Sequence, residues 1–393
     1  MADTRVKDKR LDCYEQFFGR GEEDLLIQDV NEMEENSEWI SDIQSNSISL
    51  EAIDGPLFAK DASEKYHLDY ELALDTADNG TNLVVAAAGE YQLLRDTARS
   101  SLCETAKLYG SALGRMTPYL FAETINNGLQ VARGTTLMLV RYGKASAMHS
   151  NAEGGYARMP ISELLGIVTN VIGDRFGTGD FITGYNTHGY TRAIWELPDV
   201  QEHLLKMYER ALGGSSKYPI AAMPALRFAS SDTAASCATL EPVFYTAKTN
   251  IPIRFVDGLR VRHTKRLEKP AMQLFEEGAA EMFARFEESA EVIEKLSETP
   301  IYNGCNAVVS VCKKLGIAKK YGEAARVEME RLTVGGSVVT AHDLYLCLTE
   351  AVAEAIRSDA PKTVINDMEE NLAKVLKADW SEHDVGGIVA WAA

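Results

Sequence analysis

The order of helix-like and strand-like segments along the chain constrains its fold most. Helical patterns occupy the first part of the chain and the region after Pro270, and short β-prone runs lie between them. A parallel sheet would need strict alternation of strands and helices, which this sequence lacks. The sequence therefore predicts an α+β protein with a mixed, mostly antiparallel sheet, flanking helices and a C-terminal helical region.

Three- and four-residue spacing of apolar side chains predicts the helices. The segments with this spacing are 90–112, 118–130, one beginning at Pro160, 198–212, and two beginning near Thr340 and Thr363. Thr340 and Asp343 also have the spacing of a capping box, in which side chains and backbone amides at a helix start satisfy one another.

Short β-prone runs between turn residues predict the strands. These runs are 136–140 with a hairpin partner at 146–149, a hairpin over 180–195 that turns between Asn186 and Gly189, and the runs 225–228, 243–248 and 251–261. Gly258 interrupts the last run and indicates a turn or a bulge.

The longest periodic pattern follows Pro270. Its apolar positions recur at heptad-like steps, at Met272, Phe275, Ala279, Met282, Phe286, Ile293 and Leu296. Such a stripe packs either against helices of the same chain or against a second chain in a coiled coil. Packing within the chain is the favoured interpretation, and a homo-oligomer stays open as the alternative.

The length of 393 residues exceeds the size at which a single core usually stops growing. A composition of 46% hydrophobic and 25% charged residues is typical of a folded globular protein. We expect three parts: an acidic N-terminal arm at 1–60, an α+β core at 61–265 and a C-terminal helical region at 266–393.

The cysteines and the hydropathy pattern indicate the compartment. The six cysteines are scattered without a CxxC pair, which is typical of free thiols in a reducing environment. No apolar stretch reaches the roughly 20 residues that span a bilayer. The sequence therefore predicts a cytoplasmic protein with no membrane partner.

The segment from Glu22 to Asp54 contains eleven acidic residues and no Lys or Arg. A block of like charge is usually solvated, mobile or an interaction arm. Apolar positions such as Trp39, Ile40 and Ile43 favour an arm that docks on the protein surface. Two roles stay open: a lid over a basic surface of the same chain, or a mimic of nucleic acid that engages a basic partner.

Two segments supply the candidate nucleic-acid-binding residues. The basic segment that begins at Arg254 suits phosphate or carboxylate, and the hairpin over 180–195 carries rings that suit base stacking. The candidates are Arg254, Arg260, Arg262, His263, Lys265, Arg266, Tyr185, His188 and Tyr190. The alternatives are that these arginines pair with acids of the same chain and that His188 is a solvated turn residue.

The search for catalytic motifs is negative. The sequence contains no nucleotide-binding glycine loop, no metalloprotease helix motif and no α/β-hydrolase nucleophile motif. Residues 230–233, Ser-Ser-Asp-Thr, follow an apolar strand and have side chains that bind metal or phosphate, but such residues more often form turns. The sequence predicts no catalytic residue, no cofactor and no metal site.

Five segments resemble a known family. They read LLRDTARSSLCETAKLYGSALGRMTP, LMLVRYGKASAMHS, ALRFASSDTA, IRFVDGLRVRHTKRLEK and TAHDLYLCLTEAV. In this order, over about residues 85–355, the chain resembles the phage/plasmid-like proteins of a numbered family of unknown function (domain of unknown function nine-three-two). That family commonly has a strand ending in Ser-His-Asp-Gly, which residues 230–233 do not match, and an Arg-His-Thr sequence, which Arg262, His263 and Thr264 retain.

The resemblance implies a protein of phages, plasmids or other mobile elements, where genes for recombination, single-strand handling and evasion of host defence cluster. The favoured function is a non-enzymatic protein of nucleic-acid metabolism that binds or anneals single-stranded DNA. A protein-binding inhibitor of a host defence complex, acting through an acidic surface, is the first alternative. A metal- or nucleotide-dependent enzyme is the second alternative.

Three surface features would separate these functions. A basic groove favours nucleic-acid binding, a solvent-facing acidic surface favours the inhibitor, and a closed pocket that joins His188, Asp232 and His263 favours the enzyme. The formal net charge of −18 repels nucleic acid at long range, so phosphate binding requires a local basic patch.

Overall fold

The computed structural model describes residues 8–53, 57–218, 222–233, 235–246, 248–387 and 389–391. Two sheets, mostly antiparallel, pack against helices, which confirms the predicted α+β class. Residues 1–7 and Asp54, which belong to the predicted acidic arm, lie outside the described residues. Within these ranges, every helix is too short or too polar to cross a membrane.

The strands, numbered in chain order, are β1 Glu15–Phe18, β2 Ser37–Gln44, β3 Ser49–Ala52, β4 Leu83–Ala87, β5 Glu90–Leu94, β6 Thr135–Arg141, β7 Lys144–Ser150, β8 Asp180–Thr187, β9 Thr191–Glu196, β10 Ala222–Ser230, β11 Ala238–Thr246, β12 Pro252–Ile253, β13 Leu259–Val261, β14 Pro300–Ile301 and β15 Val339–Thr340. The helices are α1 Glu23–Glu35, α2 Phe58–Tyr66, α3 Tyr70–Asp78, α4 Ala98–Thr105, α5 Pro118–Val131, α6 Ile161–Val171, α7 Pro198–Leu212, α8 Ala271–Ala280, α9 Met282–Glu298, α10 Gly304–Lys314, α11 Lys319–Leu332, α12 Ala341–Cys347, α13 Thr349–Arg357 and α14 Lys362–Lys374.

The larger sheet is antiparallel throughout. Its strands follow the order β1–β8–β9–β10–β11–β12. The short strand β13 also pairs with β11, along the same edge that β12 occupies. One face of this sheet, including Trp195, Phe228 and Phe244, is buried against α6, α7, α8 and α9 and forms the main core.

The smaller sheet follows the order β2–β6–β7–β5–β4–β3, and only the β5–β7 pair is parallel. Helices α4 and α5 cover one face with Leu102, Phe121 and Ile125, which form a second core with Met138 of β6. The remaining small pair, β14 and β15, lies among the C-terminal helices.

The acidic segment is part of the smaller sheet and of the main core rather than an arm. It supplies β2 and β3, which form the two edges of the smaller sheet, and α1, whose Leu26 and Val30 are buried in the main core. Ile43 and Leu50 are buried in the second core. The proposed boundary near residue 265 does not separate cores either, because α8 and α9 pack in the main core. The cores of the described residues therefore do not follow the predicted boundaries at residues 60 and 265.

Other predictions are confirmed or corrected element by element. The hairpins β6–β7 and β8–β9, the helices α5, α6 and α7, and the capping box of Thr340 and Asp343 are confirmed. The predicted helix over 90–112 is wrong, since β5 and α4 occupy this stretch. The long periodic helix is divided at Glu281 into α8 and α9, and the run 251–261 forms only the short β12 and β13.

Candidate nucleic-acid interface

The larger sheet has a second face, opposite the main core, which we call the outer face. Ala193 and Trp195 of β9 point into the main core, so Arg192 and Ile194 lie on the outer face, because successive strand residues alternate. On β10, Arg227 lies on the outer face for the same reason, since its neighbours Leu226 and Phe228 are in the core.

A cleft of about 280 Å³ opens on the outer face. Four arginines line it, from β9, β10, the loop after β12, and β13. We call it the arginine cleft, and its charged residues are Arg192, Arg227, Arg254, Arg260, Glu241, Asp257, Glu369 and Glu370.

Glu241 of β11 holds two of these arginines with one carboxylate. Arg227 Nε donates to Glu241 Oε2 at 2.7 Å, and Arg254 pairs with the other oxygen. Burial, and then the positive charge of Arg227, lowers the pKa of Arg254. The Nε atom of Arg254 is buried without a hydrogen-bond partner among the described residues.

Gly258 allows the loop between β12 and β13 to pass beside Glu241. A Cβ atom on this residue would lie 2.6 Å from Glu241 Cγ and 2.8 Å from the Leu240 carbonyl oxygen. Both distances are too short for a side chain, so this close approach requires glycine. The glycine that the sequence marks as a turn or bulge thus helps to position the acid that holds Arg227 and Arg254.

Arg260 is the exposed arginine of the cleft. It lies on β13, paired with Thr239 of β11, and its neighbours Val261 and Leu259 face the core. A hydrogen bond with the Cys237 side chain is the main cause of its raised pKa. Because the Arg260 side chain is also exposed, a ligand in the cleft can reach its guanidinium.

A second depression, of about 560 Å³, continues along the outer face and shares Tyr190, Arg192 and Glu369 with the arginine cleft. We call it the aromatic groove, because Phe17, Tyr185, Tyr190 and Tyr245 line it. The ring centroids of Phe17 and Tyr185 are 4.8 Å apart, and those of Tyr185 and Tyr190 are 6.4 Å apart.

The phenol groups of this groove remain neutral at physiological pH. Burial raises the pKa of Tyr185 and of Tyr245 to about 12. Neutral rings beside guanidinium groups suit a ligand that carries both flat apolar parts and negative charge.

Four of the nine predicted residues, Tyr185, Tyr190, Arg254 and Arg260, line these two depressions. The rest of the basic segment faces another part of the surface. Lys265 is exposed, donates to Asn151 Oδ1 at 3.0 Å and lines a separate groove of about 670 Å³. The exposed Arg262 and Arg266 line neither depression of the outer face.

His263 is buried in a stack of rings rather than exposed beside the arginines. Its ring lies 5.5 Å from that of Tyr156 with nearly parallel planes, and its Nδ1 is 3.3 Å from the Tyr156 hydroxyl. On the same tyrosine, the ring of His149 stacks at 3.9 Å. Burial lowers the pKa of His263 to about 4, so the ring is neutral at pH 7.

His188 is also buried, so neither the ligand-binding nor the solvated interpretation describes it. Its Nε2 lies 3.0 Å from the Leu11 carbonyl oxygen, and its ring is 5.6 Å from that of Tyr14. Burial lowers its pKa to about 2, with the charges of Arg95 and Arg141 as further causes. The hairpin turn thus packs between the two sheets instead of projecting into solvent.

A buried polar cluster joins the sheets at this point. Arg141 of β6 pairs with Asp232 and donates to the His188 carbonyl oxygen at 3.0 Å. The Tyr156 hydroxyl donates to the Asp232 carbonyl oxygen at 2.6 Å. His263 belongs to the same cluster, because its Nδ1 lies next to this hydroxyl. The side chains of His188, Asp232 and His263 do not hydrogen-bond to one another, because the His188 ring turns toward Leu11.

Residues 230–233 form the turn that their composition favours. Ser231 Oγ lies 3.0 Å from Thr233 Oγ1 and accepts from the Ala235 amide at 3.0 Å. The Asp232 carboxylate is occupied by Arg141. Across the described ranges, no three His, Cys, Asp or Glu side chains are grouped closely enough to hold a metal ion.

Several carboxylates of the acidic segment accept hydrogen bonds from other parts of the fold. Glu23 accepts from Trp195 Nε1 at 2.7 Å, and Glu34 accepts from the Ser162 amide at 3.0 Å. Asp29 accepts from Asn186 at 2.8 Å. Within the described part of the chain, none of these acids pairs with the basic segment, so they do not form a lid over it, which was one of the two roles left open for the acidic segment.

Sequence reasoning missed Arg192, Arg227 and Tyr245 of the outer face, and Glu369, which reaches the cleft from α14. Arg192 and Arg227 stand at outward positions of alternating strands, and this alternation is the signal that identifies them. Glu369 has no local signal, because its role depends on where α14 docks.

Comparison of the chain with known proteins identifies no related protein. No protein-family model, no curated protein and no solved structure matches the chain. The resemblance to the phage/plasmid-like family stays a prediction that depends on the five quoted segments.

Proposed function

We propose that the protein binds single-stranded nucleic acid on the outer face of its larger sheet. The observation that carries this proposal is the continuity of the arginine cleft with the aromatic groove, which meet at Tyr190, Arg192 and Glu369. Guanidinium groups bind phosphates by forked hydrogen bonds, and tyrosine rings stack on bases. A strand lying across the junction would meet both.

A single strand fits this surface better than a duplex. Bases within a duplex stack on one another, so their faces cannot reach the rings of Tyr185 and Tyr190. An unpaired base can, and stacking on an aromatic side chain contributes about 1–3 kcal/mol per base. The same contact is available to every base, so we expect weak sequence preference.

The overall charge makes the interaction local. With a formal net charge of −18, the protein repels a polyanion at a distance. Binding then depends on contacts within the cleft, and affinity should fall steeply as salt rises, because phosphate contacts release counterions. In the cytoplasmic mobile-element setting that the sequence predicts, such a protein would act on strands exposed during replication or recombination.

Fluorescence anisotropy with a labelled thymidine oligonucleotide at low salt tests the proposal. Arg260→Gln should weaken binding about tenfold or more, since a hydrogen bond to a charged group contributes about 1.5–3 kcal/mol. Lys265→Gln is the matched control: it removes one exposed positive charge from the same segment but lines a different groove.

The two variants separate the two surfaces. A loss confined to Lys265→Gln would move the binding site to the groove beside Tyr156 and contradict the outer-face assignment. Wild-type protein that does not bind the oligonucleotide at low salt would refute nucleic-acid binding altogether.

A further inference from the structure

Helix α14 crosses the junction between the arginine cleft and the aromatic groove. Its Glu369 side chain is 8% exposed and lines both depressions. A single oxygen, Oε2, accepts from Arg227 Nη1 at 2.8 Å and from Arg192 Nη2 at 3.3 Å. A carboxylate of the protein itself therefore sits where two guanidinium groups converge.

The charges of the cleft show why this contact matters. The strands that form the floor supply Arg192, Arg227 and Glu241, and Arg254 already shares Glu241 with Arg227. The sheet thus carries more arginine than acid at this place, and Glu369 and Glu370 of α14 bring in the missing negative charge. Asp257, the other acid of the cleft, pairs with Lys377 outside the group of arginines.

We propose that Glu369 is an internal competitor of the ligand: its carboxylate occupies the position of a phosphate between Arg192 and Arg227, and nucleic acid must displace it to bind. This inference rests on the proposed function, because it concerns regulation of the same surface. A carboxylate and a phosphate diester both accept forked hydrogen bonds from guanidinium groups, so either can fill this position.

The arrangement sets a threshold for binding. A ligand with a single negative charge exchanges one anion for another and gains little. A strand that also stacks on Tyr185 and Tyr190 and reaches Arg260 gains contacts that Glu369 does not make. The competitor therefore favours an extended polyanion with exposed bases over isolated phosphate.

Position 369 also lies on a helix that is anchored beside the cleft. Met368 and Leu372 of α14 are buried in the main core. The helix can therefore remain docked while the Glu369 side chain leaves the arginines, and displacement does not require the C-terminal region to unfold.

The test compares Glu369→Gln with wild type in two measurements: binding of the labelled thymidine oligonucleotide and the free energy of unfolding in urea. Removing the competing charge should strengthen binding at least about fivefold, in the range typical of coupling between sites. The same change should lower stability, because Arg192 and Arg227 lose a buried partner. Glu330→Gln, an equal charge change at a surface ion pair on α11, is the control and should alter neither.

The outcomes distinguish the inference from the function on which it rests. If Glu369→Gln loses stability but binds no more tightly than wild type, while Arg260→Gln still weakens binding, Glu369 is only structural and the competitor is refuted. If wild type does not bind the oligonucleotide at low salt, the proposed function is refuted, and the competitor, which rests on it, is refuted with it. Equal strengthening by Glu330→Gln would reveal a general charge effect and also overturn the inference.

Discussion

Buried histidines carry an energetic consequence that the sequence does not reveal. Burial lowers the pKa of His149 to about 3, of His188 to about 2 and of His263 to about 4. In each of these rings, one nitrogen lacks a hydrogen-bond partner among the described residues. These atoms are His149 Nε2, His188 Nδ1 and His263 Nε2. Protonating any of these rings would place an unpaired charge between the two sheets.

Stability should therefore fall as the pH is lowered from about 6.5 toward 4. The unfolded chain takes up protons near pH 6.5, whereas the folded protein keeps these rings neutral to about pH 4 or below, so the unfolded state binds more protons in this window. Each histidine contributes up to about 1.4 kcal/mol per pH unit. Urea unfolding at pH 7 and pH 5 measures the loss.

Variants identify the responsible rings. His188→Gln cannot be protonated and should make the pH dependence shallower. His203→Gln is the comparison variant, because it makes the same change at a histidine whose side chain is 61% exposed instead of buried between the sheets. A free energy of unfolding that is equal at pH 7 and pH 5 would contradict the importance of these buried rings.

Among the elements, local patterns predicted hairpins and amphipathic helices well, because both have short-range signals. The predicted helix over 90–112 is wrong because a turn and strand pairing determine the structure of its first residues. Ala88 and Gly89 both have positive φ, 53° and 85°, and form the two-residue turn between β4 and β5. Pairing with β4 and β7 then makes residues 90–94 a strand, although their apolar spacing also continues into α4.

The apolar stripe of α8 and α9 is a core element. Phe286 is fully buried, with its ring centroid 5.9 Å from that of Phe176 and 5.4 Å from that of Phe244. Phe286→Ala should lower the free energy of unfolding by about 3–5 kcal/mol, through lost burial and the cavity left behind. Chemical denaturation measures this loss, and light scattering should show an unchanged molecular mass.

Phe283→Ala provides the comparison, since Phe283 lies on the same helix and is only partly buried. It should cost less stability than Phe286→Ala. A Phe286→Ala variant that keeps its stability but loses molecular mass would show instead that the stripe forms a contact between subunits.

Across the whole molecule, the candidate site was only partly predictable. Composition identified Arg254 and Arg260, which lie in a basic segment, and Tyr185 and Tyr190, which lie in a hairpin rich in rings. The grouping of these residues on one face depends on the register of β9, β10 and β11, and the acid that meets them comes from α14, far along the chain. Those contacts are set by tertiary packing, and no short segment encodes them.

Tertiary packing also explains why the acidic segment is folded into the protein instead of forming a separate arm. Its charge suggested a separate arm, but its apolar positions fill two cores, and several of its acids accept hydrogen bonds from the larger sheet and α6. Charge pattern alone does not distinguish a free arm from a folded segment whose exposed side is acidic. Burial of the apolar positions decides between them, and burial becomes visible only in the fold.

The measurement that tests the outer-face assignment most directly is photocrosslinking of a bromodeoxyuridine oligonucleotide, followed by mass spectrometry of the crosslinked peptides. We expect crosslinks at Tyr185, Tyr190 and Phe17 of the aromatic groove, and fewer of them as salt is raised. Tyr109 and Tyr302, which are 72% and 68% exposed and lie off the outer face, are internal controls for random contact. Crosslinks confined to these two tyrosines, or none at low salt, would contradict binding on the outer face.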